Sequence, residues 1–487
     1  LNLLQNPLWR PDDLGRPIPD APHAVSVCLP TWADNVGYEE QDPRVHDRLR
    51  AGYPRFVFHP LCRELFARCR DQFARDEACL AFPSVAAAER FAAHFRKLTG
   101  HPPRLRALGL HDVQVVCFPQ SHTKTAKALW QHCGEGVSSR LAEACLQHRP
   151  IVDSIEAKQT VRRRLARLIG AAAEDVFLFS SGMQAIFTLF RVLGEMFPDR
   201  RSAQFGFPYV DTLKIQEKFG RGVQFYPRSD ADELRQLEAL LRREPISALY
   251  TEFPSNPMLV SPDLERLSDL SRRHAFPLIV DDTLACLTNA DVFAVADVLT
   301  TSLTKFFSGV GDVTAGSVAL NPRGPFYGEL SSRLRQEPDD AIWCEDAVAL
   351  ERNSRDAAER LPAINANAEA LAEYLAEHPR VERVLYPKFI TTEPYRAFCR
   401  PGGGHGGLLS LTLRDPSSTP RFFDALRVSK GPNLGMHYTL ACPFTILAHY
   451  EELDFAESCG VSRWLVRISV GVEDAEDLID RFREALR

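Results

Sequence analysis

The stretch Thr301-Ser302-Leu303-Thr304-Lys305-Phe306-Phe307-Ser308-Gly309 places one lysine among hydroxyl groups, aromatic rings and a glycine. An apolar run at 292–299 precedes it, and the glycine-containing segment 311–316 follows. Burial of a lysine amine is unfavourable unless the amine loses its proton or is used covalently. A lysine that forms a Schiff base meets that condition, and nearby hydroxyl groups can bind a phosphate. The alternative is a surface lysine whose aliphatic stem covers apolar atoms.

Three segments upstream of Lys305 favour a cofactor site. Residues 278–283, Leu-Ile-Val-Asp-Asp-Thr, predict a buried parallel strand whose terminal carboxylate, Asp281, can pair with a protonated pyridine nitrogen. Residues 177–186 predict a strand, a Ser-Gly turn and a helix, and the N–H groups at such a helix start bind phosphate. Tyr209 offers a ring that can stack on a flat cofactor. Each segment by itself is also typical of an ordinary turn or helix cap.

Six motifs, in their order and spacing, resemble those of the Cys/Met-metabolism family of pyridoxal-phosphate enzymes, the cystathionine γ-synthase and γ-lyase group. The resemblance covers the chain from about residue 175 to 487. The motifs are Ser181-Gly182-Met183-Gln184-Ala185, Tyr209, Glu252-Phe253-Pro254-Ser255-Asn256-Pro257, Val280-Asp281-Asp282-Thr283, Ser302-Leu303-Thr304-Lys305 and Val466-Arg467-Ile468-Ser469-Val470-Gly471-Val472-Glu473. The long leader and the segment 134–140, Gly-Glu-Gly-Val-Ser-Ser-Arg, resemble most the N-terminally extended, fungal-type cystathionine γ-synthases.

The resemblance implies the α/β fold of the type I PLP-dependent transferases. That fold has a mainly parallel sheet covered by helices and a smaller α+β C-terminal domain. The alternation of strands and helices between 150 and 335 independently predicts such a sheet, with strands at 176–179, 202–205, 223–226, 248–252, 278–281, 298–301 and 316–320. Residues 340–378 predict a long amphipathic helical region. We expect three parts: an extended N-terminal arm or domain with intersubunit contacts, a PLP-binding large domain and a small C-terminal domain. Their ranges are 1–150, 151–335 and 336–487.

The N-terminal part contains a second pattern of interest. Residues 52–110 follow a helix–strand–helix order that is also predicted for the start of the cofactor domain. This order indicates either a degenerate partial repeat of that start or a coincidence. Pro83-Ser84 stands where the later segment has Ser181-Gly182, and it lacks the glycine that lets a backbone approach phosphate closely. We therefore expect no cofactor in the N-terminal part.

The resemblance also implies roles for individual residues in binding pyridoxal 5′-phosphate. Lys305 would form the Schiff base, Asp281 would keep the pyridine nitrogen protonated, and Tyr209 would stack on the ring and transfer protons. Asn256 would lie near the phenolic oxygen of the cofactor, although a turn role is an alternative. The expected phosphate ligands are Gly182, Met183, Ser302 and Thr304, together with an arginine of the neighbouring subunit.

Two arginines are candidates for reaching the phosphate of the neighbouring subunit. In the resembling family a Tyr-x-Arg element lies just before the first helix of the cofactor domain. Ser138-Ser139-Arg140 lies close to the expected position before that helix but has no tyrosine. Tyr53-Pro54-Arg55 matches the Tyr-x-Arg motif but lies much earlier in the chain. The sequence favours Arg140 and leaves Arg55 open.

The expected substrate is an amino acid whose carboxylate forms a bidentate pair with Arg467, for which a structural salt bridge is the alternative. Asn433 is expected on the substrate side, where Pro432-Asn433 replaces a Glu-Ser of the family. The main expectation is γ-replacement on an activated homoserine, with a thiol such as cysteine as co-substrate. The alternatives are γ-elimination on a γ-substituted, halogenated or unsaturated amino acid of a natural-product pathway, and a non-catalytic relative.

Composition narrows the class of protein further. A net charge of −6 over 487 residues gives no basis for nucleic-acid or anionic-membrane binding, and no apolar run reaches the ~18 residues of a membrane helix. The first residues lack a signal-peptide core. Twelve cysteines without a Cys-x-x-Cys motif predict free thiols of the cytoplasm and no metal site. We expect a homodimer or homotetramer with shared active sites.

Overall fold

The computed structural model describes residues 2–337 and 341–487. Its N-terminal region begins with an arm that contains a short antiparallel strand pair and two helices. A compact unit of three strands and four helices follows the arm. The arm comprises β1 (Pro17–Ile18), β2 (Ser26–Val27), α1 (Trp32–Glu39) and α2 (Pro43–His46). The unit comprises α3 (Pro60–Phe73), β3 (Glu77–Phe82), α4 (Val85–Thr99), β4 (Arg104–Ala107), β5 (Gln114–Pro119), α5 (Thr123–Cys133) and α6 (Ser139–Gln147).

The central region contains a seven-stranded sheet with helices between its strands. The strands are β6 (Val176–Phe179), β7 (Ser202–Phe205), β8 (Val223–Tyr226), β9 (Leu249–Glu252), β10 (Leu278–Asp281), β11 (Val298–Thr301) and β12 (Gly316–Leu320). The helices are α7 (Ile155–Ile169), α8 (Gly182–Met196), α9 (Val210–Phe219), α10 (Ala231–Leu241), α11 (Leu264–His274) and α12 (Tyr327–Leu334). The strand order is β6-β12-β11-β10-β9-β7-β8, and only β12 runs antiparallel to its neighbours. Buried aliphatic and aromatic side chains pack on both faces of this sheet, as expected for parallel strands.

The C-terminal region is built on a five-stranded sheet. Its helices and strands, in chain order, are α13 (Cys344–Asn353), α14 (Ala357–Glu377), β13 (Val381–Leu385), α15 (Thr392–Arg396), β14 (Leu408–Leu413), α16 (Thr419–Ala425), β15 (Ser429–Lys430), β16 (Leu440–Pro443), α17 (Phe444–His449), α18 (Leu453–Ser458), β17 (Val466–Ser469) and α19 (Ala475–Ala485). The order is β13-β14-β17-β16-β15, in which only the β15–β16 pair is parallel.

The predicted fold class is confirmed, because the large sheet is mainly parallel and a smaller sheet follows it. All seven strands predicted for the large sheet form, and their ends shift by at most one residue. The helical region predicted at 340–378 is two helices, α13 and α14, separated at 354–356, and residue 340 lies outside the described residues. The three-stranded, seven-stranded and five-stranded sheets lie within the predicted ranges 1–150, 151–335 and 336–487, respectively. The boundaries themselves stay predictions, since α13 packs with α7 against the core of the large sheet.

The N-terminal arm lies on the C-terminal region of its own chain. The Leu29 N–H donates to the Lys430 carbonyl at 3.0 Å, and the Lys430 amine donates to the Pro30 carbonyl at 2.8 Å. Trp32 stacks on Trp464 with 5.7 Å between ring centroids. The Lys430 side chain is fully buried, and this burial lowers the pKa of Lys430 to about 8. The expected contacts of the arm with a neighbouring subunit stay a prediction.

Three general features bear on the class of site. No helix in the described ranges is long and apolar enough to cross a membrane. Among the same residues, no cluster of three or more His, Cys, Asp or Glu side chains has the arrangement of a metal site. The twelve cysteines form no disulfide, and eleven of them are buried.

Candidate active site

A cavity lies at the carboxyl ends of the central strands of the large sheet, where α/β proteins bind their ligands. Three adjacent strands deliver side chains to it: Glu252 ends β9, Asp281 ends β10, and Lys305 follows β11. Helix α8 begins at the same edge with Gly182, and Arg467 enters from β17 of the small sheet. The fold thus brings together residues that lie far apart in the sequence.

The Lys305 amine is held by two groups. Its Nζ atom donates to Asn433 Oδ1 at 2.5 Å and to the Tyr53 hydroxyl at 3.3 Å, and it lies 4.4 Å from the centroid of the Tyr53 ring. Burial lowers the pKa of Lys305, and this effect outweighs the opposing influence of Tyr53. A neutral amine is the nucleophilic form that a Schiff base requires. The alternative of a surface lysine is therefore wrong.

Asp281 and Glu252 are neighbours across the β10–β9 pair. Asp281 Oδ1 accepts the Thr283 N–H at 2.9 Å, and it forms no ion pair with any described residue. Burial raises the pKa of Asp281, and burial with repulsion from Asp281 raises the pKa of Glu252 to about 8. A cation beside Asp281, such as a protonated ring nitrogen, would compensate the charge of this carboxylate.

Helix α8 begins at the cavity, and its N-terminal end has the free N–H groups that bind an anion. The Ser181 hydroxyl caps the helix by accepting the Gln184 N–H at 3.0 Å, while the N–H groups of Gly182 and Met183 have no helical partner. Gly182 faces Ser302 so closely that a Cβ atom at 182 would lie 3.0 Å from the Ser302 Cβ atom. Gly182, Met183 and Ser302 line the cavity, and this arrangement suits a phosphate.

Tyr209 sits at the start of α9, and its hydroxyl accepts a hydrogen bond from Arg55 Nη2 at 2.5 Å. Arg55 Nη1 also donates to Asp211 Oδ2 at 2.5 Å and to the Gln131 carbonyl at 2.8 Å. His132 Nδ1 lies 2.8 Å from Asp211 Oδ1. Although burial opposes them, Arg55 and His132 hold the pKa of Asp211 well below its usual range. The N-terminal region therefore builds one wall of the site.

The structure brings Arg55 into this cavity and does not bring Arg140 there. The Arg140 guanidinium is buried and pairs with Asp312 at 3.2 Å and Asp346 at 3.1 Å within its own chain. The single positive charge of Arg140 is thereby compensated within its own chain, whereas Arg55 is the arginine of the two that reaches the cavity of this chain. That an Arg140 of a neighbouring subunit reaches a phosphate stays a prediction. The sequence indicated Arg55 only through the Tyr-x-Arg motif at 53–55. It did not indicate that the Tyr53 hydroxyl contacts the Lys305 amine.

Arg467 occupies the opposite side of the cavity. Its Nη1 donates to Asn256 Oδ1 at 3.2 Å, and its Nη2 donates to the Pro432 carbonyl at 2.9 Å. The guanidinium carbon lies 5.0 Å from the centroid of the Phe444 ring. Arg467 forms no ion pair with a carboxylate of the described residues, so the salt-bridge alternative is not what the structure contains. A guanidinium fixed by neutral acceptors keeps its charge for a carboxylate ligand.

Two other predicted residues have different surroundings from those expected. The Thr304 hydroxyl accepts the Ala315 N–H at 3.0 Å and lies 3.3 Å from the Ala315 carbonyl, so it is committed to the backbone and does not line the cavity. Asn433 contacts the Lys305 amine directly. It was expected to face the substrate, and its position instead suits holding the lysine in place.

Comparison with known proteins identifies the group to which this site belongs. The family model described as Cys/Met metabolism PLP-dependent enzyme matches residues 156–487. The chain belongs to this family. A second model, described as the N-terminal domain of fungal trans-sulfuration enzymes, matches residues 61–138 of this Cys/Met metabolism enzyme. The predicted family and the predicted PLP dependence are both confirmed.

Similar proteins cover nearly the whole chain. A cystathionine gamma-synthase of Neurospora crassa is 34% identical, with 98% of each chain covered. An L-2-amino-4-chloropent-4-enoate dechlorinase/desaturase of Streptantibioticus cattleyicolor is 32% identical over 96% of this chain and 97% of its own. A crystal structure of cystathionine gamma synthase from Xanthomonas oryzae pv. oryzae, 23% identical, has a TM-score of 0.60 over 68% of this chain and 85% of its own. The last comparison confirms the fold.

The residues of the cavity fit pyridoxal phosphate. A lysine with a lowered pKa is available for the aldehyde, and Asp281 is a half-buried carboxylate that pairs with no cation in the described part of the chain. The glycine at 182 leaves room beside Ser302 at the open end of α8. These three features match an aldehyde, a ring nitrogen and a phosphate on one small molecule.

Proposed function

We propose that this PLP-dependent enzyme catalyses γ-replacement, in which the thiol of cysteine displaces the γ substituent of an activated homoserine and yields cystathionine. The observation that carries the proposal is the placement of the Lys305 amine and the Arg467 guanidinium in one cavity. One is suited to proton transfer at Cα, and the other to the carboxylate beside it. The 34% identity to a cystathionine gamma-synthase over 98% of both chains supports this choice.

Each residue of the cavity would have a defined part in holding the cofactor. Lys305 would hold it covalently through Nζ, and Asp281 would keep its ring nitrogen protonated. Gly182, Met183 and Ser302 would bind its phosphate through backbone N–H and hydroxyl groups. When bound, pyridoxal phosphate supplies an electron sink that stabilises negative charge on substrate carbons.

Proton transfer would depend on Lys305 and on the tyrosines beside it. The Lys305 amine, once released from the cofactor, would take the Cα proton and then move a proton at Cβ. Burial raises the pKa of Tyr209, so this residue suits the role of a proton donor rather than a base. Lys305 and Arg55 lower the pKa of Tyr53 despite its burial, so the Tyr53 hydroxyl is a further candidate for proton transfer.

The experiment is a product analysis with purified holoenzyme. O-acyl and O-phospho homoserines are supplied with cysteine, and the products are identified by mass spectrometry, with Lys305→Ala as the inactive control. Cystathionine formed by the wild type alone supports the proposal. Formation of an oxo acid without cystathionine contradicts γ-replacement.

A second candidate function is γ-elimination on a halogenated or unsaturated amino acid. The observation that favours it is the 32% identity, over 96% of this chain, to a dechlorinase/desaturase. The same cavity residues would serve both reactions, because they differ only after the γ substituent has left. Release of chloride from a γ-chloro amino acid in the absence of any thiol, at a rate exceeding replacement, would select elimination.

The free thiol groups of the cysteines bear on the compartment in which the proposed reaction takes place. The twelve cysteines form no disulfide, which suits the reducing cytoplasm. We propose a cytoplasmic homodimer or homotetramer with cysteine as the thiol co-substrate. Size-exclusion chromatography with light scattering distinguishes these assemblies from a monomer.

A further inference from the structure

Helix α5 of the N-terminal region ends beside the cavity wall that contains Tyr209. Its residues Gln131 and His132 both contact Asp211, the second residue of α9. The Asp211 side chain is fully buried, and the Gln131 Nε2 atom donates to Asp211 Oδ1 at 3.1 Å. Gln131, His132 and Asp211 do not line the cavity, so they form a buried polar cluster behind its wall. A satisfied network of this kind rigidifies the groups that it joins.

The partners of the His132 ring fix its tautomer. The Nε2 atom lies 2.8 Å from the Lys218 amine, and the Nδ1 atom lies 2.8 Å from Asp211 Oδ1. A protonated amine has three donors and no acceptor, so Nε2 accepts and the ring proton is on Nδ1. His132 therefore donates to Asp211. Because Lys218 is exposed, this series of hydrogen bonds begins at the protein surface.

The two donors on Oδ1 leave the other carboxylate oxygen of Asp211 to Arg55. Arg55 Nη1 donates to Asp211 Oδ2 at 2.5 Å and to the Gln131 carbonyl at 2.8 Å. That carbonyl belongs to the last turn of α5, where carbonyl groups lack a helical partner and attract cations. A planar guanidinium held by both groups has a fixed orientation.

The orientation of Arg55 determines where the Tyr209 hydroxyl lies. Arg55 Nη2 donates to that hydroxyl at 2.5 Å, and the guanidinium carbon lies 5.4 Å from the ring centroids of both Tyr209 and Tyr53. The Tyr53 hydroxyl is 3.3 Å from Lys305 Nζ. A series of short contacts therefore leads from His132 to the groups around the reactive amine.

We infer that His132 is a positioning residue for Tyr209. It fixes the carboxylate of Asp211, the carboxylate fixes Arg55, and Arg55 holds the Tyr209 hydroxyl where this group transfers a proton. The inference rests on the part in proton transfer that the proposed function gives to Tyr209. The proton on His132 Nδ1 stays in place throughout. In this way helix α5 contributes to the geometry of a cavity that its His132 does not line.

The test compares two variants of similar shape, His132→Leu and His132→Asn. Only asparagine carries an N–H on an atom bonded to Cγ, which is the place of Nδ1 in histidine. A shift of about 1 Å in a reacting group can lower a rate about a hundredfold, so His132→Leu should lower kcat about tenfold or more. His132→Asn should stay within about threefold of wild type, because the donor to Asp211 is retained. The KM for the amino-acid substrate should change less than about twofold in both variants, since Arg467 is untouched.

The control variant is His94→Leu. The half-buried His94 ring packs on Phe219 of α9 with 4.8 Å between ring centroids, and it forms no hydrogen bond with Asp211. It therefore removes an imidazole at the same boundary between α9 and the N-terminal region without affecting Arg55. Its kcat should equal that of wild type.

A double-mutant cycle shows whether His132 acts through Tyr209. In the Tyr209→Phe background, His132→Leu should lower kcat by less than about twofold, because the hydroxyl that His132 positions is already absent. A further tenfold loss in that background overturns the inference. Consumption of the amino-acid substrate measures replacement and elimination alike, so the cycle decides the inference whichever product forms. Elimination products alone overturn the proposed γ-replacement and leave the positioning role standing.

A measurement on the cofactor-free protein does not depend on turnover. In protein labelled with ¹³C at tyrosine Cζ, the Tyr209 resonance is the one that Tyr209→Phe lacks, and its frequency reports the hydrogen bond of the hydroxyl. It should shift in His132→Leu, return towards its wild-type position in His132→Asn and stay unchanged in His94→Leu. An unshifted resonance in His132→Leu overturns the inference. If His132→Leu does not fold, His132→Phe, which also lacks the N–H, takes its place in both experiments.

Discussion

Arg55 and Tyr209 lie 154 positions apart in the chain, yet the Arg55 guanidinium donates to the Tyr209 hydroxyl at 2.5 Å. The same guanidinium pairs with Asp211 two residues further on. Both partners are at the start of α9 in the large domain, whereas Arg55 belongs to the N-terminal region. One side chain therefore sets the position of a predicted catalytic tyrosine and joins the two regions at the cavity.

The first prediction concerns this arginine. Arg55→Ala should destabilise the protein by about 3–5 kcal/mol, because Asp211 is left as a buried charge without its main partner. Turnover should fall at least about tenfold, since the Tyr209 hydroxyl loses a hydrogen bond from a charged donor. Urea unfolding and steady-state kinetics measure the two effects. Arg63→Ala, on the exposed face of α3, is the control and should change neither.

The second prediction concerns the cofactor. Lys305→Ala should remove the visible absorbance of enzyme-bound pyridoxal phosphate and abolish turnover, because the amine that attaches the cofactor is gone. Absorption spectra after dialysis against the cofactor provide the measurement. Lys97→Ala, at an exposed position of α4, should keep both properties. Retention of visible absorbance and turnover by Lys305→Ala would contradict the assignment.

The third prediction concerns the substrate carboxylate. Arg467→Ala should raise the KM for the amino-acid substrate about 10- to 100-fold, because a bidentate charged pair is lost. The visible spectrum of the bound cofactor should change little, since Arg467 contacts Asn256 and loop carbonyls rather than Lys305. Initial rates over a range of substrate concentrations test this. An unchanged KM would exclude Arg467 as the carboxylate ligand.

The fourth prediction concerns pH and the N-terminal arm. Burial lowers the pKa of Lys430 to about 8 from 10.5, so the native protein binds fewer protons than the unfolded chain between these values. Its contribution to stability therefore rises with pH across this window, by about 3 kcal/mol in total. The free energy of unfolding of the wild type minus that of Lys430→Met should show this rise from pH 8 to 10.5.

The control for the pH experiment is Lys124→Met, because this lysine is exposed on α5. The free energy of unfolding of the wild type minus that of Lys124→Met should not change over the same pH range. A flat difference for Lys430→Met as well would show that the Lys430 amine titrates normally in the folded protein.

Local sequence patterns were sufficient to predict the large sheet and its ligand-binding edge. The apolar run before Asp281 and the hydroxyls around Lys305 each report on one strand and the turn after it, and the strands form as predicted. Neighbouring parallel strands end at one edge, and Asp281 and Lys305, which follow neighbouring strands, line the same cavity there. The family resemblance added Arg467.

Contacts between distant segments could not be predicted in this way. Tyr53 meets Lys305 across 252 positions, and no periodicity or turn signal in either segment encodes that contact. The pairing of Arg140 with two carboxylates of its own chain, Asp312 and Asp346, is also a contact between distant segments that no local pattern indicates. The commitment of the Thr304 hydroxyl to Ala315 likewise depends on how β12 returns beside β11.

The N-terminal arm has a consequence for how such enzymes diversify. It supplies Glu39 to the cavity, and the segment between the arm and α3 supplies Tyr53 and Arg55. Both precede the strands that carry Asp281 and lead to Lys305. Changes in the first sixty residues at positions other than Tyr53 and Arg55 can therefore alter which molecules are accepted while Lys305 and Asp281 stay untouched. The arm is in this respect a specificity segment that can vary in sequence independently, although it belongs to the same polypeptide as the residues that carry out the reaction.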